Sequence, residues 1–347
     1  KNLRIFRKKT KSCHKCQYYG KTTKEQIIMN WITRWKKIGI KVKQIFKKQP
    51  TGTEETNWKN CPQCKKISYI PDLIANSYIC ECNFHFDLPP QLRLKSLFDS
   101  DFKIIESPEN INPDPLSFEV KERYKYIDKI KKYRKVTGQK TALLCASGKV
   151  ANLNAVVVCF NPKFGAGRFG PAENEHFLKA ADEAIKQKVD IWIVIYQSSG
   201  IDVHTGVTGL AGMTKSIIAM NEIKKNKIPT FCIAARATAG GTYASSFFMH
   251  DFIIVESKCV ENLLFSGKRV TANILKGTDQ IPVDFGTGPG VMKSGLADIT
   301  LESRKELKDT VSDLANIILK KEELEIKNVE EAYENPEDFK KTASTTS

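Results

Sequence analysis

Six of the ten cysteines fall in close pairs, and two of those pairs are spaced to share one metal ion. Cys61-Pro-Gln-Cys64 and Cys80-Glu-Cys82 are separated by 15 residues, the distance between the two knuckles of a zinc ribbon. Four thiolates converging tetrahedrally on one ion would substitute for a core too small to fold alone. The second knuckle is Cys-x-Cys rather than Cys-x-x-Cys, and His85, in Cys82-Asn-Phe-His85, is able to replace one thiolate; the spacing leaves that choice open. The third pair, Cys13/Cys16, has no spare pair to complete a second site. Cys145, Cys159, Cys232 and Cys259 stand singly in apolar runs, where a thiol serves as a small hydrophobe. Pairs plus buried singles point to a reducing compartment.

Backbone rather than side chains offers the second kind of chemistry. Phe164-Gly-Ala-Gly167-Arg168-Phe-Gly170, Ser198-Ser-Gly200 and Thr238-Ala-Gly240-Gly241 each follow an apolar, strand-like run. Glycines let the chain approach a ligand closely, and their N–H groups, with the positive end of a helix expected from Gly240 through His250, can hold a developing oxyanion. Turns also need glycine for positive φ, so each loop taken alone has a bland explanation. Asp202 and His204, just after Gly200, suit either acid–base work or a surface loop. No Ser/His/Asp order, Walker loop or dinucleotide fingerprint is present.

The elements that must position these groups follow from apolar spacing. Runs at 141–146, 155–160, 189–196, 228–235 and 252–255 read as buried strands, with helices over 175–188 and 214–227 between them, an α/β rhythm whose loops gather at one edge. Residues 91–135 read as two charged, mostly helical stretches, the second stopped at Thr137-Gly138. Over 25–46, Ile27, Trp31, Trp35, Ile38, Val42 and Ile45 fall on one helical face with lysines opposite. The chain thus divides into a basic arm with its linker (1–57), a zinc ribbon (58–90), an α/β domain (91–333) and a tail (334–347).

Charge and hydropathy narrow the class. Residues 1–50 hold 16 of the 55 Lys and Arg but one acid, Glu25, so nearly all of the net +16 belongs to that arm. The arm suits docking on protein or contact with RNA or an anionic surface. No apolar run reaches the roughly 20 residues of a membrane span, and the N-terminus lacks a signal-type apolar region, which predicts a soluble protein. The chain does not start with Met, as a processed N-terminus would not.

Taken in order, these motifs resemble the β subunit of the bacterial and plastid acetyl-CoA carboxylase carboxyltransferase. The resemblance covers about residues 58–300: the four-Cys ribbon, Tyr124-Lys125 with Thr137-Gly138, the loop Phe164–Gly170, Ser198-Ser-Gly200 with Lys215, Thr238-Ala-Gly-Gly241 with Ala244-Ser245 and Asp251, Phe265-Ser-Gly267-Lys-Arg269-Val270, and Gly295-Leu-Ala-Asp298. The Phe-x-Gly-Lys-Arg-Val string leans toward the plastid and cyanobacterial branch.

The resemblance implies an α/β, crotonase-like ββα spiral core preceded by a small zinc ribbon, here with a basic N-terminal helical arm. It implies transfer of a carboxyl group from carboxybiotin to acetyl-CoA, giving malonyl-CoA for fatty-acid synthesis. Gly240 and Gly241 would be oxyanion donors, Gly167, Gly170, Ser199, Gly200, Lys215, Gly267 and Arg269 would bind substrate, and Cys61, Cys64, Cys80 and Cys82 would hold zinc. It also implies partners, since no biotin-attachment site or ATP-binding loop is present: a carboxyltransferase α subunit in an α2β2 heterotetramer, a biotin carboxyl carrier protein and biotin carboxylase, in plastid stroma or bacterial cytoplasm.

Several loop positions depart from the family. Arg168 falls in the family's Phe-Met-Gly-Gly-Ser-Met-Gly at its serine. Asp202 stands where Ser-Gly-Gly-Ala-Arg-Met-Gln-Glu has arginine, and His176 where another arginine follows the first glycine loop. Arg236-Ala-Thr-Ala-Gly-Gly replaces Asp-Pro-Thr-Thr-Gly-Gly. Two lost cations weaken attraction for an anionic CoA. A degenerate relative kept as a structural or assembly subunit, with residues 1–50 available to contact RNA, is the alternative expectation.

Overall fold

Short apolar runs bounded by turn residues become strands, and the ribbon precedes them. A computed structural model describes residues 57–121, 123–256, 263–275 and 281–319. The amphipathic helix expected over 25–46, the Cys13/Cys16 pair, Cys259 and the tail lie outside the described residues. Strands β1 (Trp58–Asn60) and β2 (Ile67–Tyr69) pair antiparallel and lead into helix α1 (Ile70–Ala75). Helix α2 (Pro90–Leu97) and strand β3 (Lys103–Ile105) follow, then the two-residue strands β4 (Glu119–Val120) and β5 (Tyr124–Lys125), then α3 (Tyr126–Thr137), which stops at Gly138. The stretch 91–135 is therefore less helical than its charge pattern predicts. Pro108, Pro113 and Pro115 fall in its middle, and each removes a backbone donor a helix would need.

One large sheet carries the rest. Its strands are β6 (Leu143–Val150), β7 (Leu153–Phe160), β8 (Ile191–Ser198), β9 (Thr230–Ala239), β10 (Phe252–Glu256), β11 (Leu263–Leu264) and β12 (Ile299–Leu301), in the order β12-β10-β9-β8-β7-β6-β3 with β11 beside β9. From β7 to β12 neighbours run parallel, whereas β6 and β3 are antiparallel additions at one edge. Helices α4 (Pro171–Gln187) and α5 (Val207–Lys225) are the crossovers that parallel pairing requires.

Trp192, Val194 and Tyr196 face Phe177 and Met220 of these helices, while Ile191, Ile193 and Ile195 face Leu94 and Leu97 of α2 and Val311 and Ala315 of the helical residues 307–319. Burial on both faces is why the strands read as unbroken apolar runs rather than alternating ones. Both α4 and α5 start earlier than their apolar periodicity suggests. Pro171 suits the first helical position. Gly212 lets α5 lie against α4, since a Cβ there would fall 1.6 Å from Asn174 Nδ2.

The ribbon and the sheet belong to one compact unit that begins at Trp58. Arg304 Nη1 donates to the carbonyls of Phe86 (2.8 Å) and Ser77 (3.4 Å) in the ribbon. Its Nε lies 3.6 Å from Glu256 Oε2 of β10, and Glu256 also pairs with Arg93 of α2. All three charges are buried, so each needs the others. No helix among the described residues is long and apolar enough to cross a membrane.

Candidate active site and metal centre

The two knuckles meet. Cys61 Sγ is 3.6 Å from Cys82 Sγ and Cys64 Sγ is 3.7 Å from Cys80 Sγ, with all four sulfurs within 4.8 Å of one another. A tetrahedral ion with metal–sulfur bonds near 2.3 Å would set the sulfurs about 3.8 Å apart, close to the two distances given, so the donor set suits zinc. His85 is not part of this group, which favours four thiols over the alternative the spacing left open. Burial raises the Cys61 thiol, but backbone N–H groups of Cys64 and Gln63 and the neighbouring Cys82 outweigh it and bring it down to about 7, while burial and the neighbouring cysteines push Cys82 up to about 12, so the thiols hold protons that a bound metal would have to displace.

The glycine loops gather at the carboxyl ends of β7, β8 and β9, where open parallel sheets bind ligands. Ser199 N–H donates to the Ala166 carbonyl at 2.9 Å, and Phe169 N–H to the Gly200 carbonyl at 3.0 Å, tying the first loop to the second. At Gly167 (φ +68°) a Cβ would lie 1.9 Å from the Gln197 carbonyl oxygen, so only glycine permits that contact. Ser198 Oγ donates to the Gly167 carbonyl at 2.6 Å and sits 3.1 Å from Thr242 Oγ1, tying in the third loop. The result is a cleft of about 320 Å³ lined by Ala166, Ser199 and Ala239, and walled on its other side by Asp87–Pro90, the segment leaving the ribbon.

Gly240 and Gly241 do not act alike. Gly240 (φ +61°) turns the chain, and its N–H donates to the Phe265 carbonyl at 3.0 Å, so it is not a second free donor as the resemblance implied. Gly241 N–H has no hydrogen-bond acceptor among the described residues. The expected helix through His250 is broken: α6 (Gly240–Tyr243) is one turn, Ser245 is non-helical, and Ser246–Met249 is a 3₁₀ turn.

Asp202 and His204 are not surface-loop residues. Asp202 is buried; it pairs with Arg168 at 2.9 Å, accepts from Tyr126 Oη, and meets His204 Nδ1 at 2.8 Å. Arg168 in turn holds Glu173 at 3.0 Å and donates to Tyr126 Oη, and the His204 ring stacks on Tyr126. Burial would raise the Asp202 carboxyl, but the Arg168 guanidinium, with help from Tyr126 and His204, holds it below the usual carboxylate range. Arg168→Met would strand two carboxylates in this interior, and we expect a loss of about 3–5 kcal/mol, read as a lower Tm. Because the native carboxyl is depressed, the stabilisation is complete above about pH 4 and fades as pH falls through the native value, so the gap between wild type and variant should close in strong acid. A gap unchanged at pH 2 would refute the pairing.

His176, at the second lost cation, is also structural: its Nε2 is 2.7 Å from the Ile105 carbonyl and its Nδ1 is 2.9 Å from Thr141 Oγ1. Gly170 caps α4, its N–H donating to Glu173 Oε2 at 3.0 Å, and does not line the cleft. Lys215 lies on α5 paired with Glu175 of α4, again away from the cleft lining. Gly267 is exposed at the start of α7 (Lys268–Ile274); Arg269 falls within α7, with its side chain outside the described structure. Of the sequence candidates, the structure brings together Gly167, Ser199, Gly200, Gly240 and Gly241. Ser199 is the one of these in the cleft lining, beside Gly200, and the lining adds Lys163, Arg236 and Asp87, to which motif spacing gave no binding role.

Residues 113–346 match the family described as carboxyl transferase domain. The acetyl-coenzyme A carboxylase carboxyl transferase subunit beta of Pelagibacter ubique is 30% identical over 320 residues, covering 91% of this chain and 100% of that one. The protein of the same name from a Hydrogenobaculum species is 31% identical over 270 residues, covering 77% of this chain and 95% of its own. Among solved structures, transcarboxylase 12S with hydrolysed methylmalonyl-coenzyme A bound superposes with a TM-score of 0.54 at 16% identity, covering 72% of this chain and 43% of that longer one, a likeness of fold. Sequence and architecture agree on the α/β carboxyltransferase, crotonase-like class. The chain belongs to the carboxyl transferase family, as a protein of the acetyl-CoA carboxylase β-subunit type.

Proposed function

We propose that this chain is the β subunit of an acetyl-CoA carboxylase carboxyltransferase and passes a carboxyl group from carboxybiotin to acetyl-CoA, making malonyl-CoA. The observation that carries this reading is the meeting of the Gly200 and Gly240 turns, each next in sequence to a residue that lines the cleft, Ser199 and Ala239. A Cβ on Gly200 would lie 2.7 Å from the Ala239 carbonyl oxygen, and beside this contact Gly241 N–H is left without an acceptor.

Loss of a proton from the acetyl Cα moves an electron pair toward the thioester carbonyl, and the oxygen takes up negative charge. A fixed backbone donor stabilises that charge more than it stabilises the neutral thioester, which is what lowers the barrier. The nucleophilic carbon then attacks the carboxyl carbon of carboxybiotin; the C–N bond breaks, its electron pair leaves on the ureido nitrogen, and that nitrogen takes up the proton the acetyl carbon lost, giving free biotin. Gly241 N–H serves the oxyanion, and Ser199 and Gly200 shape the wall against which the thioester lies.

Carboxybiotin is a substrate carried on a separate biotin carboxyl carrier protein. An α subunit completing an α2β2 heterotetramer and biotin carboxylase supply the rest of the cycle, in bacterial cytoplasm or plastid stroma. Cys61, Cys64, Cys80 and Cys82 hold a structural zinc, which closes the ribbon and takes no part in the reaction.

The test is the reverse reaction on the chain co-purified with its partners: malonyl-CoA and biotin should yield acetyl-CoA, and malonyl-CoA alone should not. A stable complex with no turnover and no affinity for acetyl-CoA would show that the scaffold is kept as a structural part.

A further inference from the structure

At Arg236 the cleft carries a cation where the family pattern has aspartate. Its interior is mostly small and apolar (Pro162, Ala166, Ala237, Ala239), while Lys163 and Arg236 line it together with a single acid, Asp87. Lys163 has no carboxylate partner among the described residues, and Arg236 has Asp87. A lysine and an arginine against one carboxylate leave this edge of the cleft short of negative charge.

The Asp87–Arg236 pair joins the segment leaving the ribbon to β9, across the cleft. Its side chains are 58% and 42% exposed, so water and salt screen it and an incoming anion can exchange for the carboxylate. Arg236 lies four strand residues before Gly240, about 13 Å at roughly 3.3 Å per residue. That separation suits the far, charged end of an extended thioester arm better than its reacting end. A guanidinium fork matches phosphate oxygens in pairs, and a neutral apolar channel between fork and glycine turn suits the uncharged arm.

Resting on the carboxyltransferase reading, we propose that Asp87 is an internal substitute for a substrate anion. It holds Arg236 while the cleft is empty, and the phosphate groups of a CoA thioester displace it and take Arg236, with Lys163 beside it. Arg236 thereby restores attraction for an anionic substrate that Asp202 and His176 no longer supply.

Calorimetric titration of the co-purified full chain with acetyl-CoA tests this through Asp87→Asn, Arg236→Gln and the double variant. Asp87→Asn should bind acetyl-CoA more tightly, by up to about fivefold, because an exposed competing pair is removed. Arg236→Gln should bind about tenfold more weakly or worse, the usual loss of a charge-assisted contact. Once Arg236 is gone, Asp87→Asn should change nothing. Acetyl-pantetheine, which lacks the phosphates, should bind alike to all four proteins.

Unchanged or weaker acetyl-CoA binding in Asp87→Asn overturns the exchange, as does a full Asp87→Asn gain in the double variant. An equal response with acetyl-pantetheine overturns phosphate as the anion. A wild-type chain with no affinity for acetyl-CoA fails the carboxyltransferase reading itself, and that result precedes any comparison of variants.

Discussion

Cys61→Ser, purified beside the wild type, is expected to lose its zinc, from about one ion per chain to a trace by elemental analysis, and residues 58–90 should become rapidly cleaved by protease. The ribbon has little else to hold it. Its buried cluster consists of Cys61, Leu73, Tyr78, Cys80, Phe86 and Leu88, and two of those six belong to the four-cysteine group. A hairpin of two three-residue strands is marginal in water. Structural zinc in such small units supplies on the order of 10 kcal/mol at neutral pH, far more than these contacts can replace. The damage should travel. Phe86 and Ser77 offer their carbonyls to Arg304, whose Nε pairs with Glu256 of the sheet, and Asp87–Pro90 form a wall of the cleft. Acetyl-CoA affinity should therefore fall along with metal content. Full metal content in Cys61→Ser would refute the four-thiol site, and loss of metal with unchanged acetyl-CoA affinity would separate the ribbon from the cleft.

Much of this was legible in the residues, for a definite physical reason. Strands buried on both faces leave unbroken runs such as Ile191–Tyr196, and metal ligands leave fixed spacings, because both constraints act on neighbours in sequence. The starts of α4 and α5 were obscured because they depend on partners elsewhere. Val207-Thr-Gly209-Leu-Ala-Gly212 reads as loop by composition, and becomes helix because those glycines admit Thr205 and Asn174. The break after Tyr243 likewise belongs to tertiary packing: Phe247 is fully buried against Tyr196, and a continuous helix would aim it differently.

The site divides along the same line. Gly167 and Gly200 were legible because close backbone contact requires glycine there, and Gly240 because its positive φ does. The fates of Asp202 and His176 were not. Each replaced an expected arginine, and taken singly each looked like a lost binding charge. In the fold Asp202 instead meets Arg168, itself a departure from the family pattern, so two substitutions 34 positions apart make one buried pair. Arg236 shows the converse. In sequence it is a changed residue before a glycine pair, and it gains meaning only from Asp87, which the fold brings across from the ribbon.

Gly241→Ala is expected to cut malonyl-CoA-dependent turnover by about a hundredfold or more, with KM for the CoA substrate little changed. Removing one oxyanion donor costs roughly 10²–10³ in kcat in enzymes that rely on such donors. A methyl at this position does not delete the N–H, but it displaces it. The new Cβ would lie 2.2 Å from Ile201 Cγ1 and 2.9 Å from Met213 Sδ, so the turn must shift unless those side chains give way. Gly241→Val makes the same intrusion larger and loads Ile201 and Met213 harder, so the smaller substitution is the sharper instrument and a thermal melt belongs beside it. Gly240→Ala is the informative companion. Its N–H already goes to Phe265, and its added Cβ would meet nothing closer than Gly200 Cα at 3.6 Å, but φ +61° would be strained. It should therefore lower Tm by the equivalent of about 1–2 kcal/mol while reducing kcat less than Gly241→Ala does. Equal losses of kcat in the two variants, or full turnover in Gly241→Ala with an unchanged melt, would mean that the thioester oxygen is held elsewhere. The division of labour between the two glycines, one turning the chain and one presenting its N–H, requires the asymmetry.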